Sequence, residues 1–482
     1  MQTPADRLKV HPNTHHGFDY TTPKLSLLIP ATRPNKELCK CLLSALLLNY
    51  QTPILINWGK TYDETVDRHN GTHIAKISGT YDYLRLIKPH QTDDLVLMID
   101  GYDLWFQLRP DVLISRWRSI NRDLLQRAIV TMGDAAVAAE GITQNILFSA
   151  EKNCGPNVDF QNEIACYAQP ESPLATDLFG NDTDMLDPDT RLPLHMRPSF
   201  LNSGFIMGQT HAMRKMFRQA GNKIAARVEH RGSDQHIFNE IYGEQEYQRA
   251  VMRERHLSLS SRLGVAFRKF IGTHIPSIID PHPDHKHMAS LPGHPLEFGI
   301  GLDYGLDLVQ SASLSEWDGR FFTYNDSVLL ENLQLLELQY DPSGLHAPNP
   351  PRVTALPQDI VLSRPLPLPQ VPDHAESQSS KTKQNGVEYG DSEAQSWTSV
   401  PLYTNIWTAS VPVTIHMNGF KTMRGAIWDH MWFWERSREL LAARLMQTSG
   451  VIANDTIGAP ILWEDACKQY EDEILPKVSI DT

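Results

Sequence analysis

The sequence predicts an α/β protein built on a largely parallel sheet. Two observations predict it. Apolar runs of strand length alternate with stretches of helical periodicity through the first half of the chain, and several of those runs stop abruptly at small or acidic residues. In sheets of this kind ligands bind outside the carboxyl ends of the strands, so the residues at those stops are the first candidates for chemistry.

The elements follow in order. KLSLLIPAT (24–32) reads as a buried strand ending near Thr32, and NKELCKCLLSALLLNY (35–50) has helical spacing. TPILINW (52–58) is a second strand, and TYDYLRLIKPH (80–90) is a helix-like stretch before the third strand. That strand opens LVLMIDGYDLWFQ (95–107) and stops at Asp100 and Asp103. A helix over 110–128 begins with Pro110 and Asp111, residues that helix starts favour. NILFSAE (145–151) is another strand, with Ser149 and Glu151 at its end, and a loop-rich stretch runs from 151 to 198. FLNSGFIMG (200–208) is a glycine-interrupted strand followed by a basic helix over 210–228. SDQHIFNEIYGEQ (233–245) reads as a helix with Ser233 as its N-cap, which holds Asp234 at the helix start. Residues 411–421, VPVTIHMNGFK, form a last apolar strand, and 427–447 reads as one aromatic helix.

Four segments emerge: a tail (1–23), a core (24–340), a Pro/Ser-rich insertion (341–400) expected to lack a fold, and a C-terminal part (401–482). The length of 482 residues fits one large domain with an insertion, or two domains. A net charge of −13 argues against nucleic acid as the main partner, because phosphate backbones call for a basic face. No apolar run is long enough to span a bilayer, and the first twenty residues lack the apolar centre of a signal peptide. Sequons at Asn70, Asn181, Asn325 and Asn454 lean slightly towards the secretory pathway. Cys154 and Cys166 lie in one polar stretch and could pair, whereas Cys39 and Cys41 fall in a buried helix and read as free thiols.

Asp100 and Asp103 at a strand end can turn two carboxylates to one side, a fit for a hard divalent cation. A surface turn capped by aspartates is the bland alternative. His416 stands at another strand end, beside Asn418, Gly419 and Lys421. Asp234 is either a dipole-favoured helix start or a carboxylate near a reacting carbon. Asn202 and Ser203 sit on a strand that Gly204 keeps open to close approach.

MIDGYDLWF, LFSAEKNCGPN, FLNSGFIMG, SDQHIFNEIY, GLDYGLDLVQ and IHMNGFK occur in that order. Together they resemble the glycosyltransferase domain of the procollagen lysyl hydroxylase/glycosyltransferase family, in the texture of its fungal members. The resemblance covers about 25–320 and 411–421. It implies a GT-A, Rossmann-like fold, a UDP-sugar donor, and Mn²⁺ (or Mg²⁺) held by Asp100, Asp103 and His416. It further implies that Tyr102 and Thr32 meet the nucleotide and that Lys421 approaches the diphosphate. Asn202, Ser203 and Glu151 would line the donor pocket, and Asp234 would face the transferred sugar, with Asp234 and Glu151 as the catalytic pair. The expected activity is transfer of a hexose to an acceptor hydroxyl on a glycan, protein or small molecule, in the Golgi or ER lumen, with the cytoplasm as the alternative.

Three departures stand out. Gly155 replaces the relatives' tryptophan, Ser233-Asp234 replaces a run of aspartates, and the segment before the third strand lacks a lysine in clear register, Lys76 being close but upstream. These departures keep a second expectation open, a catalytically silent binding protein on the same fold. No H-x-D dioxygenase pattern follows the matched blocks, so lysyl hydroxylation is not expected.

Overall fold

The computed structural model describes residues 24–62, 71–88, 93–155, 163–226, 233–256, 263–264, 296–325, 353, 355–363, 396–419 and 421–477. Its centre is an eight-stranded mixed sheet. In chain order the strands are β1 (Leu25–Pro30), β2 (Ile54–Ile56), β3 (Leu95–Ile99), β4 (Leu104–Phe106), β5 (Ile146–Glu151), β6 (Phe200–Gln209), β7 (Ile300–Asp303), β8 (Val309–Ser311), β9 (Gly319–Phe322), β10 (Leu402–Asn405), β11 (Thr414–His416), β12 (Val451–Asp455) and β13 (Pro460–Leu462). The large sheet has the order β13-β12-β2-β1-β3-β6-β5-β7. All but β6 and β13 run in one direction.

The sandwich of helix, sheet and helix follows from the two-residue period of β3. Leu95, Leu97 and Ile99 join one apolar core with Leu38 and Leu42 of α1 (Lys36–Leu47). Val96 and Met98 join the other, with Ile77 and Leu84 of α2 (Gly71–Leu86) and with Met213 and Phe217 of a later helix, Thr210–Ala226. Every residue of β3 is buried, as a strand covered on both faces requires. Asn35 caps α1 by accepting the Leu38 N–H at 2.8 Å.

β6 is the exception that matters. It runs antiparallel to both neighbours, so its first residues, not its last, lie beside the carboxyl ends of β3 and β5. Asn202 and Ser203 thereby reach the same edge of the sheet as Asp100 and Glu151. The β5–β6 register breaks between Phe148 and Ser149, where the partner jumps from Ile206 to Asn202, and the intervening bulge contains Gly204.

A second, three-stranded sheet, β4-β11-β8, sits behind this edge. β11 pairs antiparallel with β4 and parallel with β8, which sets His416 opposite Leu104 and Ser311. β11 thus closes onto the turn that follows β3.

Three expectations change. Residues 427–447 are not one helix: Met423–Asp429 and Ser437–Thr448 are separate helices with a 3₁₀ turn between them at Trp434–Arg436. The aromatic side chains are drawn into edge contacts instead, Trp428 on Trp105 at 5.3 Å and Trp432 on Trp397 at 5.3 Å. Within 341–400, residues 355–363 are folded: a short helix, Gln358–Leu362, buries Ile360 and offers Asp359 to Arg116 at 2.6 Å. Residues 341–352 and 364–395 lie outside the described set, as do 1–23.

Cys39 is not a free thiol. It is bonded to Cys467, and Cys154 is bonded to Cys166, which leaves Cys41 as the free, buried cysteine. The Cys39–Cys467 bond ties α1 to the C-terminal segment, a neighbour no local spacing announces. Replacing both Cys39 and Cys467 with serine is expected to cost about 2–5 kcal/mol of stability, because the bond closes most of the chain into a loop. Thermal melting of the variant, against the native protein with and without reductant, checks this; equal melting in all cases would dismiss the bond as a stabiliser. No helix among the described residues is long and apolar enough to cross a membrane.

Candidate functional site

The turn from Asp100 to Asp103 joins β3 to β4. Each carboxylate is held by a buried or half-buried cation. Lys76 of α2 places its ammonium 2.6 Å from Asp100 Oδ1. Arg424 donates to Asp103 Oδ2 at 3.1 Å and to the carbonyls of Tyr102 and Met417. With one oxygen of Asp103 taken, the other, Oδ1, lies 3.3 Å from His416 Nε2, while Asp100 Oδ2 lies 3.8 Å from the same nitrogen. One ligand atom from each of Asp100, Asp103 and His416 lies within 4.8 Å of the others, a spacing able to hold a metal ion.

The small sheet explains why His416 is there. The Met417 N–H donates to the Asp103 carbonyl at 2.6 Å and the Ala312 N–H to the His416 carbonyl at 2.9 Å, which pins both sides of the residue. Gly204 fills the remaining side: a Cβ there would run into the imidazole. His416 is buried, and neither of its ring nitrogens makes a hydrogen bond. Leaving such groups unmatched is costly unless something else occupies them. Burial opposes its protonation, but the Asp103 and Asp100 charges prevail and raise its pKa above the ordinary histidine value.

Asp234 opens the long helix Asp234–His256 and is also buried. Its Oδ2 accepts from Ser203 Oγ at 2.8 Å and faces Lys76 Nζ at 2.8 Å. Burial acts to raise this carboxyl, yet the Lys76 charge and the hydrogen bond from His73 outweigh it and hold the pKa well below the usual range. Lys76 therefore bridges Asp100 and Asp234 and also donates to the Ser203 carbonyl at 3.2 Å.

Glu151 lies deeper. Asn202 Nδ2 donates to one oxygen at 2.9 Å and Gln235 Nε2 to the other at 2.5 Å. Burial pushes its carboxyl up to about 7 despite both bonds. Glu151, Asn202, Gln235, Ser313 and Asn418 line a cavity of about 310 Å³, whose wall includes Gly155. A side chain at Gly155 would start in ordinary contact with Gln235 and Glu151, at 3.5 and 3.9 Å, so the glycine leaves open a volume that an aromatic residue would fill. Apart from Gly155 and Leu314 the lining is made of amides, hydroxyls and one carboxyl, with no cationic side chain.

Tyr102 lies on the opposite side of the turn. Its hydroxyl accepts from the Thr32 N–H at 3.2 Å and donates to the Arg33 carbonyl at 3.1 Å, which fixes the ring beside the end of β1. Lys421 is exposed in the turn after β11 and takes no part in the contacts of this cluster among the described residues. Of the residues singled out from sequence, Asp100, Asp103, His416, Asp234, Ser203, Asn202 and Glu151 form one connected group, and Thr32 pairs with Tyr102 at its margin. Lys76, His73 and Arg424 were not assigned roles from sequence. His73 and Arg424 belong to no motif, and Lys76 stands out in the sequence only as a lysine out of the relatives' register; their three-dimensional neighbours mark all three.

No family model matches the chain, and no curated protein matches it. Among solved structures the chain is similar to S. aureus TarS at 13% identity and a TM-score of 0.17. The match covers 51% of this chain and 45% of the TarS chain. A likeness this slight carries no weight for fold or function.

Proposed function

We propose that this chain is a metal-dependent glycosyltransferase of GT-A type that moves a hexose from a UDP-sugar to an acceptor hydroxyl. The observation that carries the proposal is the juxtaposition of the Asp100–Asp103–His416 group with an amide-rich cavity at one edge of the sheet. Two carboxylates and an imidazole without hydrogen bonds suit Mn²⁺, with Mg²⁺ second. Three carboxylates, Asp100, Asp103 and Asp234, face only two permanent cations, Lys76 and Arg424, and that imbalance favours an added positive charge. When bound, a divalent cation neutralises the charge that develops on departing UDP.

The chain's own residues then divide the remaining work. Tyr102, fixed by the Thr32 and Arg33 backbone, offers a face for the base. Asn202, Ser203, Glu151 and Gln235 supply donors and acceptors for sugar hydroxyls, the chemistry a neutral polyol requires. Lys421, exposed in the turn after β11, is the cation this reading assigns to the diphosphate. The two disulfides favour an oxidising compartment, the ER or Golgi lumen, over the cytoplasm.

A silent binding protein is the second reading. Lys76 on Asp100 favours it, since an ammonium already meets one would-be ligand. UDP release from a panel of UDP-sugars, with Mn²⁺ and with EDTA, separates the two. Metal-dependent release from at least one donor is expected. Binding of UDP-sugars without any metal-dependent turnover would replace the enzyme with the silent protein.

A further inference from the structure

Transfer to a hydroxyl needs a group to take its proton, and the carboxylates of the site are badly placed for that task. Asp234 is 4% exposed, with Oδ2 committed to Ser203 and Lys76. Glu151 has both oxygens engaged by amides. His73 differs from both. It stands in the first turn of α2, one helical turn before Lys76, and its side chain is 59% exposed. Its Nδ1 lies 3.3 Å from Asp234 Oδ1, the oxygen that Lys76 and Ser203 leave open. This is the arrangement in which a buried carboxylate orients an imidazole and stabilises its protonated form, leaving Nε2 to meet a substrate.

We propose that His73 is the general base of the transfer and that Asp234 is its orienting partner. The inference rests on the glycosyl-transfer reading. As the acceptor oxygen bonds to the anomeric carbon, the bond from that carbon to the diphosphate oxygen breaks, and its electron pair leaves with UDP. The acceptor proton passes to His73 Nε2 and from there to water. Lys76, one turn along the same helix, joins Asp234 to Asp100 and to the Ser203 carbonyl, so the His73–Asp234 pair belongs to the same connected group as the proposed metal ligands.

The charged groups that face His73 are consistent with this role. The Asp234 hydrogen bond raises its pKa, partial burial and Lys76 oppose the rise, and Asp100 adds to it. A base of this kind is active once pH exceeds its raised pKa, so the acid limb of the rate profile should lie above the ordinary histidine value of about 6.5.

The test uses the full chain with Mn²⁺, UDP-glucose and UDP-galactose, and water as acceptor, reading UDP release. His73→Asn is expected to lower turnover roughly 10²–10⁴-fold while UDP affinity by calorimetry is unchanged, and added imidazole should restore part of the rate. Asp234→Asn should move the acid limb to lower pH and lower the His73 pKa read by NMR titration. Wild-type turnover and an unmoved acid limb in His73→Asn would overturn the role of His73 and leave glycosyl transfer standing. No UDP release from the native chain with any donor would remove both.

Discussion

Replacing Asp100 and Asp103 together with alanine is expected to abolish metal-dependent UDP release, by about 10³-fold or more, and to leave the fold in place. The size of the loss follows from removing two of three proposed ligands, when a single preorganised electrostatic contact is typically worth about 10²–10³ in rate. Retention of the fold follows from the bonding of the two cations left behind. Lys76 keeps Asp234 and the Ser203 carbonyl, and Arg424 keeps the Tyr102 and Met417 carbonyls. Lys76 keeps a carboxylate partner, and Arg424 loses its counter-charge but keeps its carbonyl acceptors, so unfolding should shift by about 2 kcal/mol and the protein should still fold. The backbone contact between Asp103 and Met417, which holds β11 against the turn, does not involve a side chain and survives. Calorimetric Mn²⁺ titration and a melting curve check both halves. A variant that melts normally and still releases UDP at the native, metal-dependent rate would end the metal assignment.

How much of this was legible in the sequence depends on the range of the forces involved. Strand and helix identity in the first half of the chain is local: β3 is a continuous apolar run because both of its faces are covered, and α1 announces itself through Asn35 and its apolar spacing. The placement of carboxylates at strand ends is equally local, and it brought Asp100, Asp103 and Glu151 into view. The direction of β6 is not local. FLNSG reads as a strand whichever way it runs, and only the sheet order shows that its beginning, with Asn202 and Ser203, reaches the edge where the carboxylates lie. The aromatic stretch 427–447 was misread for a related reason. Helical spacing was present, but burying Trp428 against Trp105 outweighed continuing the helix. Cys39 met Cys467 through packing of the two chain ends, which no spacing encodes. His73 and Lys76 were the hardest to see, because their roles are defined by a carboxylate on another helix.

Lys76→Met is expected to have the largest effect on stability of any single change at the site. The Lys76 and Asp234 side chains are 6% and 4% exposed, and their atoms lie 2.8 Å apart. Methionine keeps the volume of the lysine stem but leaves Asp234 buried with only Ser203 and a mostly exposed histidine beside it. Breaking a buried pair from one side typically costs about 3–5 kcal/mol, because the remaining charge stays in a medium that solvates it poorly. The pH dependence has a definite sign. In the native protein the Asp234 pKa is depressed, so its contribution to stability is present above the ordinary carboxylate value of 3.8 and is lost as pH falls through the depressed folded-state pKa. Without the ammonium, burial dominates and the carboxyl pKa rises, so the variant can relieve its penalty by taking up a proton. The stability gap between native and Lys76→Met protein should therefore be widest near neutral pH and narrow in acid. Denaturant unfolding at pH 7 and at pH 4 measures it. A gap that is negligible at pH 7, or that widens in acid, would show that Lys76 is not what holds the Asp234 carboxylate in its buried, charged form.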